Sequence, residues 1–198
     1  MSSEKIPTRT RILQAALEIL ENNPGTPARM SDIAKAAGVS RQALYLHFPN
    51  RTELFIETTR YQDRLNDVDA ALAPSRSATS GPARLEAFIT AWGNYIPRIY
   101  AVAKTLMVMK ETDAEAATAW NKRMNNMREG CAAAIDAMQT DGSLRRDMAP
   151  DEATDLLWML LSLPSWEHLT QTSGWSQARY LEQIKDTARR SLMDRAAP

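Results

Sequence analysis

Three observations predict an all-helical protein of about nine helices. Apolar residues recur at the 3.6-residue spacing of amphipathic helices over most of the chain. Helix breakers fall in short clusters between those stretches, and no stretch alternates apolar and polar residues as a half-buried strand would. With 198 residues, 44% hydrophobic and 24% charged, the chain is long enough to bury a sizeable core and too apolar to be disordered.

Ile12, Ala16 and Ile19 form one stripe, with Leu13, Leu17 and Leu20 beside it. This predicts a helix over 9–22, which the run Asn22-Asn23-Pro24-Gly25-Thr26-Pro27 stops. Helices follow over about 30–37, 41–48 and 51–72, the last with Asn50 and Glu53 at capping-box spacing. Residues 73–82, small, polar and rich in breakers, predict a loop. Beyond it the pattern predicts helices over about 83–96, 98–110, 114–139, 151–170 and 176–194. Pro97 ends or kinks a helix, and Pro164 kinks or terminates another. Thr140-Asp141-Gly142-Ser143 and Thr172-Ser173-Gly174 close two more.

Net charge is zero overall, but residues 1–51 carry seven Lys or Arg against four Asp or Glu. A basic end on an acidic remainder suits phosphate attraction at one place. That end contains a helix, a tight turn and a second helix. Ile33, Ala34 and Ala37 form the inner face of the first, Gly38 supplies the positive φ of the turn, Val39 plugs the angle, and Ser40 caps the second. On the second helix Leu44 and Phe48 fall on one side and Arg41, Gln42, Tyr45 and Leu46 on the other. One side packs while the other can enter a major groove.

Chemistry assigns expected roles on that outer side. Gln42 can pair bidentately with adenine, Arg41 can read guanine or hold phosphate, and Leu46 can offer only apolar contact, as to a thymine methyl. Tyr45, His47 and Arg51 suit phosphate positioning, helped by the free amides where the next helix begins. The competing reading is an ordinary helical hairpin whose polar face meets water.

At this point the chain resembles the TetR family of one-component transcription regulators. The resemblance rests on Arg11-Ile12-Leu13-Gln14-Ala15-Ala16, on Asp32-Ile33-Ala34-Lys35-Ala36-Ala37-Gly38-Val39-Ser40, and on Leu44 through Leu54. It is strong over residues 9 to about 55 and rests beyond that on length, helical character and breaker placement. It implies residues 1–50 as a helix-turn-helix DNA-binding domain. Residues 51–198 become a ligand-sensing and dimerisation domain that begins with the connecting helix. It also implies homodimerisation through the last two helices, and it matches Tyr45 and Arg51 to positions that commonly engage the DNA backbone. Arg29 stands where the family usually has a capping threonine, and it can hold a phosphate. Gln42, Ala43 and Leu46 also depart from the family's common residues, so operator specificity does not transfer.

The body is rich in large soft and aromatic side chains. Trp92, Tyr95, Met107, Trp120, Met124, Met127 and Trp158 are the expected lining of a mostly apolar site for a small organic effector, with Asn94 and Asn121 available to orient a polar ligand atom. Each taken singly reads equally well as core. Leu156, Leu157, Leu160 and Leu161, with Tyr180, Leu181, Ile184 and Ala188, form apolar sides on the last two long helices. They are the expected dimer surface, the alternative being burial within one chain.

Other classes are disfavoured. His47 and His168 are the only histidines, without metal-ligand spacing around them, and no phosphate loop or dinucleotide fingerprint occurs. Ser162 and Ser165 have no sequence-defined base. No enzyme activity, cofactor or metal is therefore expected. A single cysteine, Cys131, excludes an intrachain disulfide. No stretch approaches the roughly 20 apolar residues of a membrane span, and the first residues lack an apolar signal core, which makes the cytoplasm the default. A ligand-released repressor on a palindromic operator is the leading reading. A non-sensing architectural DNA binder and a helical interaction module are the alternatives.

Overall fold

A computed structural model describes residues 6–194. The order is α1 (Thr8–Asn22), α2 (Met30–Ala36), α3 (Arg41–His47), α4 (Arg51–Leu65), α5 (Val68–Arg76), α6 (Gly81–Met109), α7 (Ala114–Thr140), α8 (Pro150–Leu160), α9 (Leu163–Glu167), a π-helical turn over His168–Thr172, and α10 (Gln177–Leu192). The protein is all-α, as its periodicity predicts, with ten α-helices among the described residues. None of its described helices is long and apolar enough to cross a membrane.

The chain divides into two compact units. The first unit runs to Asn66 and takes in Ile99–Lys122, so α4 belongs to it. The second comprises Asp67–Arg98 and the described chain from Arg123 onward. In the first unit Ile12, Leu13, Ala16 and Leu20 of α1 are buried, and α1 packs on α2 and α4. The loop after α1 is held where the Gly25 N–H donates to Thr105 Oγ1 at 3.1 Å.

In the second unit the core includes Phe88, Ile89, Ile135, Met138, Leu157 and Tyr180. Gly81, at the start of α6, lies so near α7 that a Cβ would fall 2.4 Å from the Met138 Cα. Only glycine permits that approach. The Gly81 N–H, one of the donors a helix start leaves unpaired, goes to Asp141 Oδ2 at 2.6 Å.

Three expected boundaries are corrected. The fourth helix ends at Leu65 and not near 72, because Asp67 adopts φ +42 and caps a new helix through the Ala70 N–H at 3.3 Å. That helix, α5, occupies part of the expected loop and carries Pro74 inside it. The carbonyl that Pro74 leaves without its helical donor belongs to exposed Ala70, where water can serve.

Pro97 does not end a helix either; α6 runs through it. Proline at position 97 deprives the Gly93 carbonyl of its usual donor. Gln177 Nε2 donates to that carbonyl at 2.8 Å instead, while Gln177 Oε1 accepts the Trp166 indole N–H at 2.9 Å. The expected helix over 151–170 is divided: α8 stops at Leu160 and α9 restarts with Pro164 in its first turn.

Candidate nucleic-acid interface

The turn between α2 and α3 is governed by one residue. Gly38 adopts φ +64; its N–H bonds the Lys35 carbonyl at 3.1 Å and the Val39 N–H bonds the Ala34 carbonyl at 3.0 Å. These paired bonds are those of a Schellman ending. A Cβ at Gly38 would have room, its nearest neighbour being Arg11 Nη1 at 3.8 Å. Backbone conformation, not crowding, demands the glycine. Ser40 then caps α3 by accepting the Ala43 N–H at 3.0 Å.

Inside the first unit, Leu44 and Phe48 are fully buried. The Arg9 guanidinium stands 4.9 Å from the Phe48 ring centroid, and its Nη2 donates to Glu57 Oε2 at 2.8 Å. Arg60 donates to the other oxygen of Glu57. These contacts hold the Glu57 carboxyl below its ordinary value, the Arg9 hydrogen bond first, against the opposing effect of burial. The end of α3 is thereby tied to both α1 and α4.

Around the rest of α3, Arg41, Gln42, Tyr45, Leu46 and His47 are exposed. Arg29, just before α2, and Arg51, at the start of α4, are exposed too. Arg29 makes no side-chain cap bond, in keeping with the missing hydroxyl. Asn50 accepts the Glu53 N–H at 2.7 Å, the forward half of the anticipated capping box.

Two residues that sequence reasoning missed lie beside this surface. Thr52 is buried next to Arg51, and its hydroxyl donates to Asp113 Oδ2 at 2.5 Å. Asp113 Oδ1 accepts the Ala116 N–H at 2.9 Å and so caps α7. One carboxylate thus joins the first turns of α4 and α7. It lies below its ordinary value, chiefly through the Thr52 hydroxyl. Asp113 carried a signal, an aspartate one residue before a helix start; Thr52 carried none, because its partner is 61 residues away.

The expected effector residues are distributed over both units. Met107 and Trp120 fall in the first; Trp92, Tyr95, Met124, Met127 and Trp158 fall in the second. Tyr95, Trp120 and Met127 are buried, and the other four are half-buried. Trp92 and Tyr95 meet with ring centroids 5.5 Å apart, and the Trp92 indole N–H donates to the Leu161 carbonyl at 3.1 Å. Asn94 and Asn121 are exposed on the surface.

Arg123, not anticipated, is half-buried and donates from Nη2 to Tyr95 Oη at 2.8 Å. A charge three residues after Trp120 and four before Met127, in the same helical stripe, was the signal available for it. Two surface grooves flank α10 in the second unit. One of about 350 Å³ lies against Leu85, Ile89, Lys185 and Arg189, the other of about 770 Å³ against Arg179, Glu182 and Arg190. No expected effector residue lines either groove.

The residues of the expected dimer surface differ in burial. Leu157, Leu161, Tyr180, Ile184 and Ala188 are buried within the chain's own core, whereas Leu156, Leu160 and Leu181 are half-buried. The apolar stripe of α10 is consumed internally, and its outer side carries Arg179, Glu182, Gln183, Arg189 and Arg190. Ser162 and Ser165 also have structural duties. Ser162 Oγ accepts the Ser165 N–H at 3.3 Å to cap α9, and Ser165 Oγ donates to the Met159 carbonyl at 2.7 Å. Burial pushes the Cys131 thiol up to about 12, far from a reactive thiolate.

A glycine-turned helix pair with an exposed polar outer face, followed by a helical body, defines a helix-turn-helix protein. Residues 12–58 match the family model described as bacterial regulatory proteins, tetR family. That match runs from α1 into α4 and so takes in the glycine-turned helix pair. Nucleoid occlusion factor SlmA of Marinomonas sp. is 46% identical over 55 residues, a match covering 28% of this chain and 28% of that protein. The HTH-type transcriptional regulator EthR of Mycobacterium tuberculosis is 26% identical over 153 residues, covering 74% of this chain and 68% of that one. A transcriptional regulator from Saccharomonospora viridis in complex with choline shares the fold at a TM-score of 0.80 and 20% identity, over 94% of this chain and 98% of its own.

Proposed function

We propose that this protein is a ligand-responsive repressor, a homodimer released from a palindromic operator by a small, largely apolar or aromatic molecule. One observation carries the reading: the outer face of α3 is exposed while Leu44 and Phe48 anchor its inner face. In that reading Gln42, Arg41 and Leu46 meet base edges, and Arg29, Tyr45, His47 and Arg51 position the backbone. A base contact discriminates by roughly 1–3 kcal/mol, whereas a phosphate contact sets affinity and its salt dependence. Two heads related by a twofold axis would meet major-groove turns about 34–36 Å apart.

Within the second unit the proposed effector contacts are Trp92, Tyr95, Met124, Met127 and Trp158. Half-buried Leu156, Leu160 and Leu181 are the residues proposed for the dimer face. Release requires that the effector prefer one of two conformations of the protein. The shared Asp113 carboxylate supports transmission, since a shift of the α7 start would displace Thr52 and, beside it, Arg51.

The test is a selection from random duplexes with the purified chain, then footprinting, then the same binding assay against a metabolite panel that includes choline. Enrichment of an inverted repeat and its release by a panel member are expected. A monomeric mass at micromolar concentration would sink the dimeric repressor. The likeness of the head to a nucleoid occlusion factor favours a second reading, a DNA binder without an effector, which would keep duplex selection and show no ligand response across the panel.

A further inference from the structure

Leu46 is 82% exposed, more than any other large apolar side chain described. A single exposed leucine is ordinary on a protein surface. This one stands one helical turn beyond Gln42, on the side of α3 opposite buried Leu44 and Phe48, on a helix where Arg41 and Tyr45 are exposed as well. It has neither donor nor acceptor, so it cannot satisfy a polar base edge and would deprive such an edge of water. The major groove offers one apolar group, the methyl on C5 of thymine. Cytosine carries the same methyl at the same position when it is methylated at C5.

We infer that Leu46 reads a pyrimidine 5-methyl group, favouring thymine or 5-methylcytosine over cytosine at one operator position. The inference rests on the DNA-binding reading above and adds a chemical specificity, and with it a response to DNA methylation. Four residues of helix advance about 6 Å, and base pairs are stacked about 3.4 Å apart. The Leu46 contact therefore falls within about two base steps of the Gln42 contact.

The test uses the full chain and the duplex it selects from a random library, with each thymine replaced singly by deoxyuridine, which removes the methyl and keeps the pairing. One thymine is expected at which the replacement weakens binding about fourfold, the equivalent of one buried methyl group. It should lie within about two steps of the base whose identity Gln42→Ala relaxes. Leu46→Ala should bind thymine and deoxyuridine duplexes equally there, while Gln42→Ala keeps the fourfold ratio. With cytosine at that position, methylation at C5 should tighten binding of the wild type and leave Leu46→Ala unchanged. Uniform insensitivity to deoxyuridine, or an unchanged ratio in Leu46→Ala, overturns the inference while DNA binding stands. Failure to enrich any duplex overturns both.

Discussion

Helices α3 and α10 begin alike and end as different kinds of surface. Each is capped by a serine accepting the amide three residues on, Ser40 from Ala43 at 3.0 Å and Ser176 from Arg179 at 3.2 Å. The seven-residue α3 buries only Leu44 among its own residues, and its outer face mixes Arg41, Gln42 and Tyr45 with a bare leucine. The sixteen-residue α10 buries Tyr180, Ile184, Ala188 and Leu192, and its outer face holds long charged side chains. Charged groups on a helix exterior are satisfied by water and by one another, as Arg190 and Asp186 are at 2.9 Å. An outer face that joins hydrogen-bonding groups to exposed apolar area gains more from a partner than from water. The short helix leaves a mixed polar and apolar face open, and the long one spends its apolar face on packing.

That contrast can be broken most forcefully in α10. Ile184→Ala should destabilise the protein by about 2–5 kcal/mol in denaturant melts, the usual cost of emptying a buried aliphatic site. A loss under about 1 kcal/mol would mean that its burial contributes little. Gln42→Ala, on the exposed face of α3, should leave melting unchanged. In titrations of cognate and random duplexes it should cost roughly 1–3 kcal/mol of discrimination; equal losses on the two would remove its reading role.

The two serine caps sharpen the comparison further. Ser40→Ala and Ser176→Ala should each cost about 1 kcal/mol of stability, but only Ser40→Ala should also weaken duplex binding, because it loosens the presented helix. Glu57 provides a smaller, pH-dependent effect. It is held below its ordinary value of 4.5 in the folded state. Its contribution is therefore present above that value and fades as pH falls through the depressed one. Melts of wild type and Glu57→Gln should differ at neutral pH and converge as pH falls below the depressed value; parallel curves would reject the Arg9–Glu57–Arg60 tie. Least of all, Arg190→Ala should change stability by under about 0.5 kcal/mol, since its ion pair is exposed.

The head was legible in the sequence because its determinants are local. Gly38, Val39 and Ser40 set the turn through bonds spanning three to five residues, and the separation of Leu44 and Phe48 from Gln42 and Leu46 follows from helical periodicity. The residues expected to meet DNA accordingly lie on exposed surface, with their roles left to the binding tests above. The body was legible only as helical. Its prolines were read as ends or kinks of helices, but Pro97 sits in a continuous helix, where Gln177, 84 residues from Gly93, takes the carbonyl it orphans. The dimer residues were read from apolar stripes, which record that a face is buried and not what buries it.

By itself, then, the sequence determined an all-helical chain, the glycine turn and its serine cap, and the polar outer face of α3, all governed by neighbours within about one or two helical turns. Tertiary structure alone decided that α4 belongs with the head, that Asp113 serves α4 and α7 at once, that Arg123 meets Tyr95, and that the apolar stripe of α10 is spent on its own core. Each of those outcomes depends on which distant segment arrives, and a helix's periodicity specifies a face without specifying its partner.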